Sequence, residues 1–447
     1  MKWMFLGLFL VLLALATTWL KGGFNSILLD TDLGRDLYEM SNIRMHKVVW
    51  LGPRLSVGFP SSPVYYYLFY PVLLLSKWNA NSLILANIFL ALLGLGLMAI
   101  LGWKKWGWYS LVMVGVIGLT PFWRNTAVHP GNGYTYVIWL FLSLVCLWWE
   151  MPIFVSSLLL GLAIAYHPAG FFCLLILVYE WWRRKHTVNT FLLIMVALLL
   201  PWTPIIVFEL ITKGFLLRSF ISNSSHQFGS LHFSVSNLQQ MAAMTGFRGI
   251  VAALFLIIVG YISKGRMRVW YCLSLLPFFI FSLSPLLPNH YLLGSLTLLF
   301  FISLIILSET KIGRLLVLLI LVLYFFQTVI IAKTPASTRS IEKIERVVRV
   351  LTNSKRIGKD KKLAVVAILS NDTSVPQADD YRYFLRTKGY DVLDVNQYSQ
   401  ADLLLMFVEE PTFKWQKWSS WETEQFGSRK ISFKTNIGNI TIIGFGK

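Results

Sequence analysis

From Met4 to Ala332 the chain is a succession of apolar runs, each close to the roughly 20 residues that a helix needs to cross a bilayer core. A chain of this kind can only be a polytopic α-helical membrane protein. The runs predict about 11 transmembrane helices, near 4–20, 82–101, 107–122, 133–149, 152–166, 169–182, 188–208, 247–263, 269–286, 290–308 and 313–332. The first has the short basic start of a signal peptide, but no small-residue cleavage site follows, so it reads as an uncleaved span. Cys146, Cys173 and Cys272 all lie inside apolar runs, where they read as core packing rather than disulfides. The runs claim residues 1–332 as a membrane domain and leave 333–447 as a polar tail of domain size.

Basic clusters set the expected orientation. Lys104-Lys105, Arg183-Arg184-Lys185, Lys264/Arg266/Arg268 and Lys311/Arg314 fall in alternate loops, as cytoplasmic retention of Lys and Arg predicts. The N-terminus is then cytoplasmic, and the tail lies outside the plasma (inner) membrane. The net charge of +19 is a membrane effect on this reading, and no aromatic-basic nucleic-acid motif is present. Six of the seven histidines belong to the exterior side and only His186 to the interior.

Acidic residues are scarce in the membrane part, and four of its eight fall together in the first exterior loop: Asp30, Asp32, Asp36 and Glu39. The stretch TDLGRDLYEMSNIRMHKVVW has an N-cap candidate in Thr31 and apolar residues Leu33, Leu37, Met40 and Ile43 at helical spacing. This predicts an amphipathic helix at the membrane surface with Asp32 and Asp36 on one face. SSPVYYYLFYPVLLLSKW, interrupted by Pro71, predicts a second juxtamembrane or re-entrant helix. The tail alternates helical and strand patterns: a helix over Ile341–Leu351, the strand KLAVVAILS, a helix around Asp379–Lys388, the strand ADLLLMFVE and two closing strands. It reads as a small accessory α/β exterior domain, with no glycine-rich phosphate loop after its first strand.

No charged residue lies near the middle of a predicted span, which argues against ion-coupled transport. Polar residues gathered at one face suit an enzyme that works on a membrane-embedded substrate at the exterior surface. Two rivals share that face: a carrier or flippase of lipid-linked glycans, and a non-catalytic envelope-assembly protein.

The residues carry a resemblance. LLDTDLGRDLYEM, with Asp32 and Arg35 in a D-x-x-R spacing, resembles the first exterior loop of GT-C glycosyltransferases of the protein O-mannosyltransferase and lipid A aminoarabinose transferase kind. Pro63-Val64-Tyr65-Tyr66-Tyr67 resembles the family's P-x-Y-Y segment, and His290-Tyr291-Leu292-Leu293 resembles its late R-Y-L-L-P segment. Here histidine stands for arginine at 290 and Gly294 for proline. The resemblance implies GT-C architecture over residues 1–332. It also implies inverting transfer of a sugar from a polyprenyl-phosphate donor to a hydroxyl of a lipid, glycan or protein acceptor.

Such chemistry needs a base on one face of the sugar and cations for the departing phosphate. Asp32 is the expected base, with Asp36 supporting Arg35 or orienting the acceptor. Arg35, Arg54, Arg218 and His290 are the expected phosphate ligands, arginine's fork suiting phosphate oxygens. His129, Asn132, His167 and Tyr291 are expected to bind substrate. Glu209 either touches the acceptor or serves a helix end. No cofactor is expected; His129, His167, His290 and Asp32 have no diagnostic spacing for a divalent metal. Membrane lipids are the remaining expected partners, and Asp30 and Glu39 are expected to be dispensable.

Overall fold

The computed structural model describes the chain except residues 1, 54–58, 225–238, 241–242, 247–249, 283–288, 332–336, 338, 370–376 and 429. The polypeptide divides into two compact units, one of Met1–Lys21, Trp50–Val72 and Ser82–Thr334, the other of Gly22–Val49, Leu73–Asn81 and Pro335–Lys447.

The described elements of the first unit are helices, and each of the 11 expected spans contains helix. Among the described residues five helices are long and apolar enough to cross a membrane. Tyr109–Leu119 and Pro121–Val128 would form a sixth span bent by 73°. The break falls at Thr120-Pro121, where the Thr120 hydroxyl caps the second helix and proline sits at its first turn. The core lies around Asn289–Ser308, whose apolar side chains from Leu292 to Leu307 are almost all buried, and around Asn132–Trp148, nearly as enclosed. At the end carrying the basic clusters, the buried Glu180 carboxylate accepts from Arg183, Arg184, Arg266 and the Trp270 indole. Arg184 and Arg266 in turn donate to the last carbonyls of Asn132–Trp148, Leu147 O among them. A buried carboxylate is tolerable because it is this fully bonded.

The second unit holds the sheet. Strands β1 (Lys362–Ile368), β2 (Asp391–Val392), β3 (Leu403–Val408), β4 (Lys430–Ile437) and β5 (Ile440–Gly446) run in the order β2-β1-β3-β5-β4. The β1 pairs are parallel, whereas β5 pairs antiparallel with both β3 and β4. β4 and β5 are joined by Gly438-Asn439, with Gly438 at φ 63°, the left-handed conformation that two-residue hairpins require. β1 and β3 are buried on both faces, which explains their unbroken apolar sequences.

The expected boundary at 332/333 differs from this division, since the first loop groups with the tail. The reason is a face of the Thr31–Arg44 helix that periodicity did not partner. Gly34 lies so close to the Asp379–Thr387 helix that an added Cβ would sit 3.0 Å from the Asp380 Cβ and 3.3 Å from its backbone nitrogen. Along the same face Arg386 donates to Ser41 Oγ, Asn42 Oδ1 and Tyr38 Oη, its guanidinium 4.0 Å from the Tyr38 ring centre. Lys47 and Tyr38 both bond Asp394, and Leu29 N donates to Arg339 O while Leu29 O accepts from Arg339 Nη1.

Overpacking of a close helix crossing costs about 1–3 kcal/mol. Gly34→Val is therefore expected to lower the thermal midpoint of the full chain in detergent by several degrees, read by circular dichroism.

Candidate functional site

The acidic cluster is resolved into distinct roles by the start of one helix. Asp30, not Thr31, is the N-cap: its carboxylate accepts from Leu33 N at 2.8 Å. Both residues can cap, so a one-residue offset escaped the sequence reading, and Asp30, expected to be dispensable, has a structural task. Glu39 is largely buried and accepts from Asn42 Nδ2.

Asp32 and Asp36 lie one turn apart, bridged by Arg35. Its Nη1 meets Asp32 Oδ1 at 2.8 Å, while Nε and Nη2 fork onto Asp36 Oδ1 at 3.1 and 2.9 Å. The two acids differ in access: the Asp32 side chain is 52% exposed and that of Asp36 fully buried. Burial raises the Asp36 pKa to about 7, opposed by the Arg35 charge and reinforced by that of Asp32. Asp32 is thus the carboxylate that a reactant can reach, with Arg35 holding it from behind. Arg35, expected to take donor phosphate, has its guanidinium bonded to both carboxylates.

Asp32 and Arg35 line a cavity of about 340 Å³ whose other walls come from the tail, with Arg339, Asp379, Arg382 and Glu422 among them. These tail residues escaped the sequence reading. DDYRYFLR was legible as a helix opening with two acids, but nothing in it indicated a partnership with a loop more than 300 residues earlier.

In the first unit the expected substrate-binding residues converge. Buried Asn87 donates to Thr126 O, Ala127 O and His129 O, fixing the turn that carries His129. Tyr65, from the P-x-Y-Y segment, donates to Pro130 O and packs edge-on against Tyr166. Asn132 Nδ2 donates to Tyr166 O. His167 stacks on Tyr136 at 4.8 Å, and its ring centre lies 5.3 Å from that of His290 and 4.4 Å from that of Tyr291. His129 is linked to this group through Tyr134, 5.1 Å away. Tyr136, missed from sequence, organises the cluster: its hydroxyl donates to His290 O and accepts from Gly294 N. Gly294 has a physical reason to depart from the family's proline, because proline has no N–H and a Cβ there would stand 2.9 Å from Tyr136 Oη.

Arg218 and Glu209 have other partners. Arg218 is exposed and donates to nearby carbonyls, Gly214 O and Thr212 O. Glu209 accepts from Leu216 N and Leu217 N, which caps the Phe215–Ser224 helix and favours the second of its two expected roles. Arg54 lies outside the described residues. Among the described residues no three His, Cys, Asp or Glu side chains come together in a way that could hold a metal ion.

No protein-family model matches the sequence, and no curated protein matches it by sequence. Structural comparison is informative. ArnT from Cupriavidus metallidurans bound to undecaprenyl phosphate superposes with a TM-score of 0.62 at 12% identity, over 97% of each chain. Its apo state gives 0.60 at 13%, again over 97% of each chain. The chain has the GT-C fold. This agrees with the architecture implied by the sequence resemblance and makes the chain a multi-pass membrane protein. The mycobacterial arabinofuranosyltransferase AftD also matches, with a TM-score of 0.49 at 14% identity over all of this chain and 40% of its own.

The raised pKa of Asp36 has a consequence for stability. Between the unfolded carboxylate value of about 4 and the folded value of about 7, the folded chain keeps a proton that the unfolded chain has released. The stability Asp36 contributes is full below that window and is lost as pH rises through 7. Thermal midpoints of the full chain should therefore fall from pH 4 to pH 7 more steeply than those of Asp36→Asn; parallel slopes would show that Asp36 does not titrate in this range.

Proposed function

We propose that this chain is an inverting membrane glycosyltransferase that moves a sugar from a polyprenyl-phosphate carrier to an acceptor hydroxyl, with Asp32 as the general base. The observation that carries this reading is the Asp32–Arg35–Asp36 arrangement: a reachable carboxylate, held by an arginine that a second, buried carboxylate holds in turn. The GT-C fold supports it, as does the undecaprenyl phosphate bound to ArnT.

In the proposed reaction the acceptor oxygen attacks the anomeric carbon of the donor sugar while Asp32 removes the acceptor proton. A new C–O bond forms as the bond from that carbon to the phosphate oxygen breaks, and the electron pair leaves with polyprenyl phosphate. Base and leaving group act on opposite faces of the sugar, so configuration inverts. Arg35 keeps the Asp32 carboxylate aimed, and Asp36 steadies Arg35. His290, with Arg218 and Arg54, is proposed to receive the phosphate charge. His129, Asn132, His167 and Tyr291 are proposed to hydrogen-bond substrate. We place the reaction on the exterior face of the plasma membrane, with the N-terminus cytoplasmic.

General-base assistance is worth about 10²–10⁴ in rate. Asp32→Asn should lose at least about a hundredfold of transfer with unchanged expression and thermal midpoint, whereas Arg218→Ala and His290→Ala should raise the donor KM. The assay is release of undecaprenyl phosphate from an undecaprenyl-phosphate-linked sugar in proteoliposomes. Full activity of Asp32→Asn removes the base assignment, and movement of labelled lipid without phosphate release establishes a carrier instead.

A further inference from the structure

The cavity beside Asp32 is built by segments distant in sequence, Arg339 among them. The first-loop helix contributes Asp32 and Arg35, the Asp379–Thr387 helix contributes Asp379 and neighbouring Arg382, and the Trp421–Phe426 helix contributes Glu422. Its volume, about 340 Å³, is that of a small-ligand site. Its walls are held in place. Arg382 donates to Asp379 Oδ1 at 2.7 Å, to Tyr398 Oη and to Val365 O on β1. Arg339 is bonded by Asp380 and Glu409, and Tyr381 Oη donates to the same Glu409. Groups fixed in this way lose little freedom when they bind.

Charge decides the class of ligand. The three arginines of the wall, Arg35, Arg339 and Arg382, are each already bonded to a carboxylate. Glu422 has no ion pair among the described residues and is only partly buried. An anion entering the cavity would find every arginine engaged and an acid facing it. A neutral polyol would find convergent carboxylate acceptors and the outer N–H groups of arginines, and an amino group would add a charge-assisted bond to Glu422.

We infer that this cavity seats the carbohydrate of the acceptor: the tail, through Asp379, Arg382 and Glu422, holds a neutral or amino-bearing sugar with a hydroxyl toward Asp32. The inference rests on Asp32 being the base. It gives the tail a recognition task, and it excludes phosphorylated sugars from this cavity, leaving the donor phosphate to other cations.

The test is direct binding to the full chain in nanodiscs, followed by saturation-transfer NMR with three probes: glucose, glucosamine and glucose 6-phosphate. Glucose and glucosamine should bind, with glucosamine tighter and glucose 6-phosphate weakest. Glu422→Gln should weaken glucosamine by about tenfold, the scale of one charge-assisted bond, and glucose far less. Asp379→Asn should weaken both, and unchanged thermal midpoints of the two variants exclude unfolding. Tightest binding of glucose 6-phosphate, or glucosamine binding unaltered by Glu422→Gln and Asp379→Asn, overturns the proposal. The readouts separate the two readings. Absent saccharide binding with transfer lost in Asp32→Asn removes the cavity assignment alone. Saccharide binding sensitive to Glu422→Gln, with Asp32→Asn fully active, removes the base and leaves the cavity supported.

Discussion

The approach of the first-loop helix to the Asp379–Thr387 helix is the constraint on which the second unit depends. It is set by the absence of a side chain at Gly34 and by one arginine, Arg386, that reaches Tyr38, Ser41 and Asn42 together. Without that approach the cavity would lose one wall. Because the same helix begins with the Asp30 cap and carries Asp32, Arg35 and Asp36 in its first two turns, its seating also sets where the reachable carboxylate points. Arg35 then links the two acids. It pairs with an exposed acid on one side and a buried acid on the other, and burial, which Arg35 only partly offsets, raises the pKa of the second.

The membrane unit uses a different device for the same purpose. Its histidines and tyrosines are positioned less by ion pairs than by backbone carbonyls and ring packing, with Asn87, Tyr65 and Tyr136 as the pins. Tyr136 bonds the backbone at both His290 and Gly294, one turn apart, which locks the start of the Asn289–Ser308 helix against Asn132–Trp148. A hydroxyl bonded twice costs little to bury in this setting, since both of its partners are themselves main-chain groups at a helix start. Charge is concentrated instead around Glu180, where three arginines tie helix ends together at the basic end of the bundle.

Much of this was legible in the sequence, and the reasons differ by element. Helix was legible because apolar runs in a membrane chain allow the backbone little besides it, and all 11 expected segments contain it, although among the described residues only five helices, or six with the bent pair, are long and apolar enough to cross a membrane. β1 and β3 were legible because strands buried on both faces are apolar without alternation. Mixed pairing in the sheet and the two-residue β2 were not, since strand order depends on long-range closure rather than on local pattern. The first-loop helix was legible from its apolar spacing, with its start offset by one residue and its end at Arg44 not marked by any signal, and its partner was missed because its packing face is polar and aromatic: Gly34, Tyr38, Ser41 and Asn42 carry no periodic apolar signal. For the same reason the tail was read as an accessory, and Asp379, Arg382 and Glu422 were not connected with Asp32. The choice of Gly294 looked like a departure from a family pattern and became intelligible only once Tyr136 was found bonded to its N–H.

The central claim is that Asp32, and not its buried neighbour, removes the acceptor proton. Rescue by an external base tests this most directly: transfer by Asp32→Gly and Asp36→Gly is measured with and without sodium formate. The account predicts that Asp32→Gly is inactive and regains measurable transfer in formate, while Asp36→Gly gains nothing. Wild-type transfer by Asp32→Gly without formate, or rescue of Asp36→Gly in its place, would contradict it.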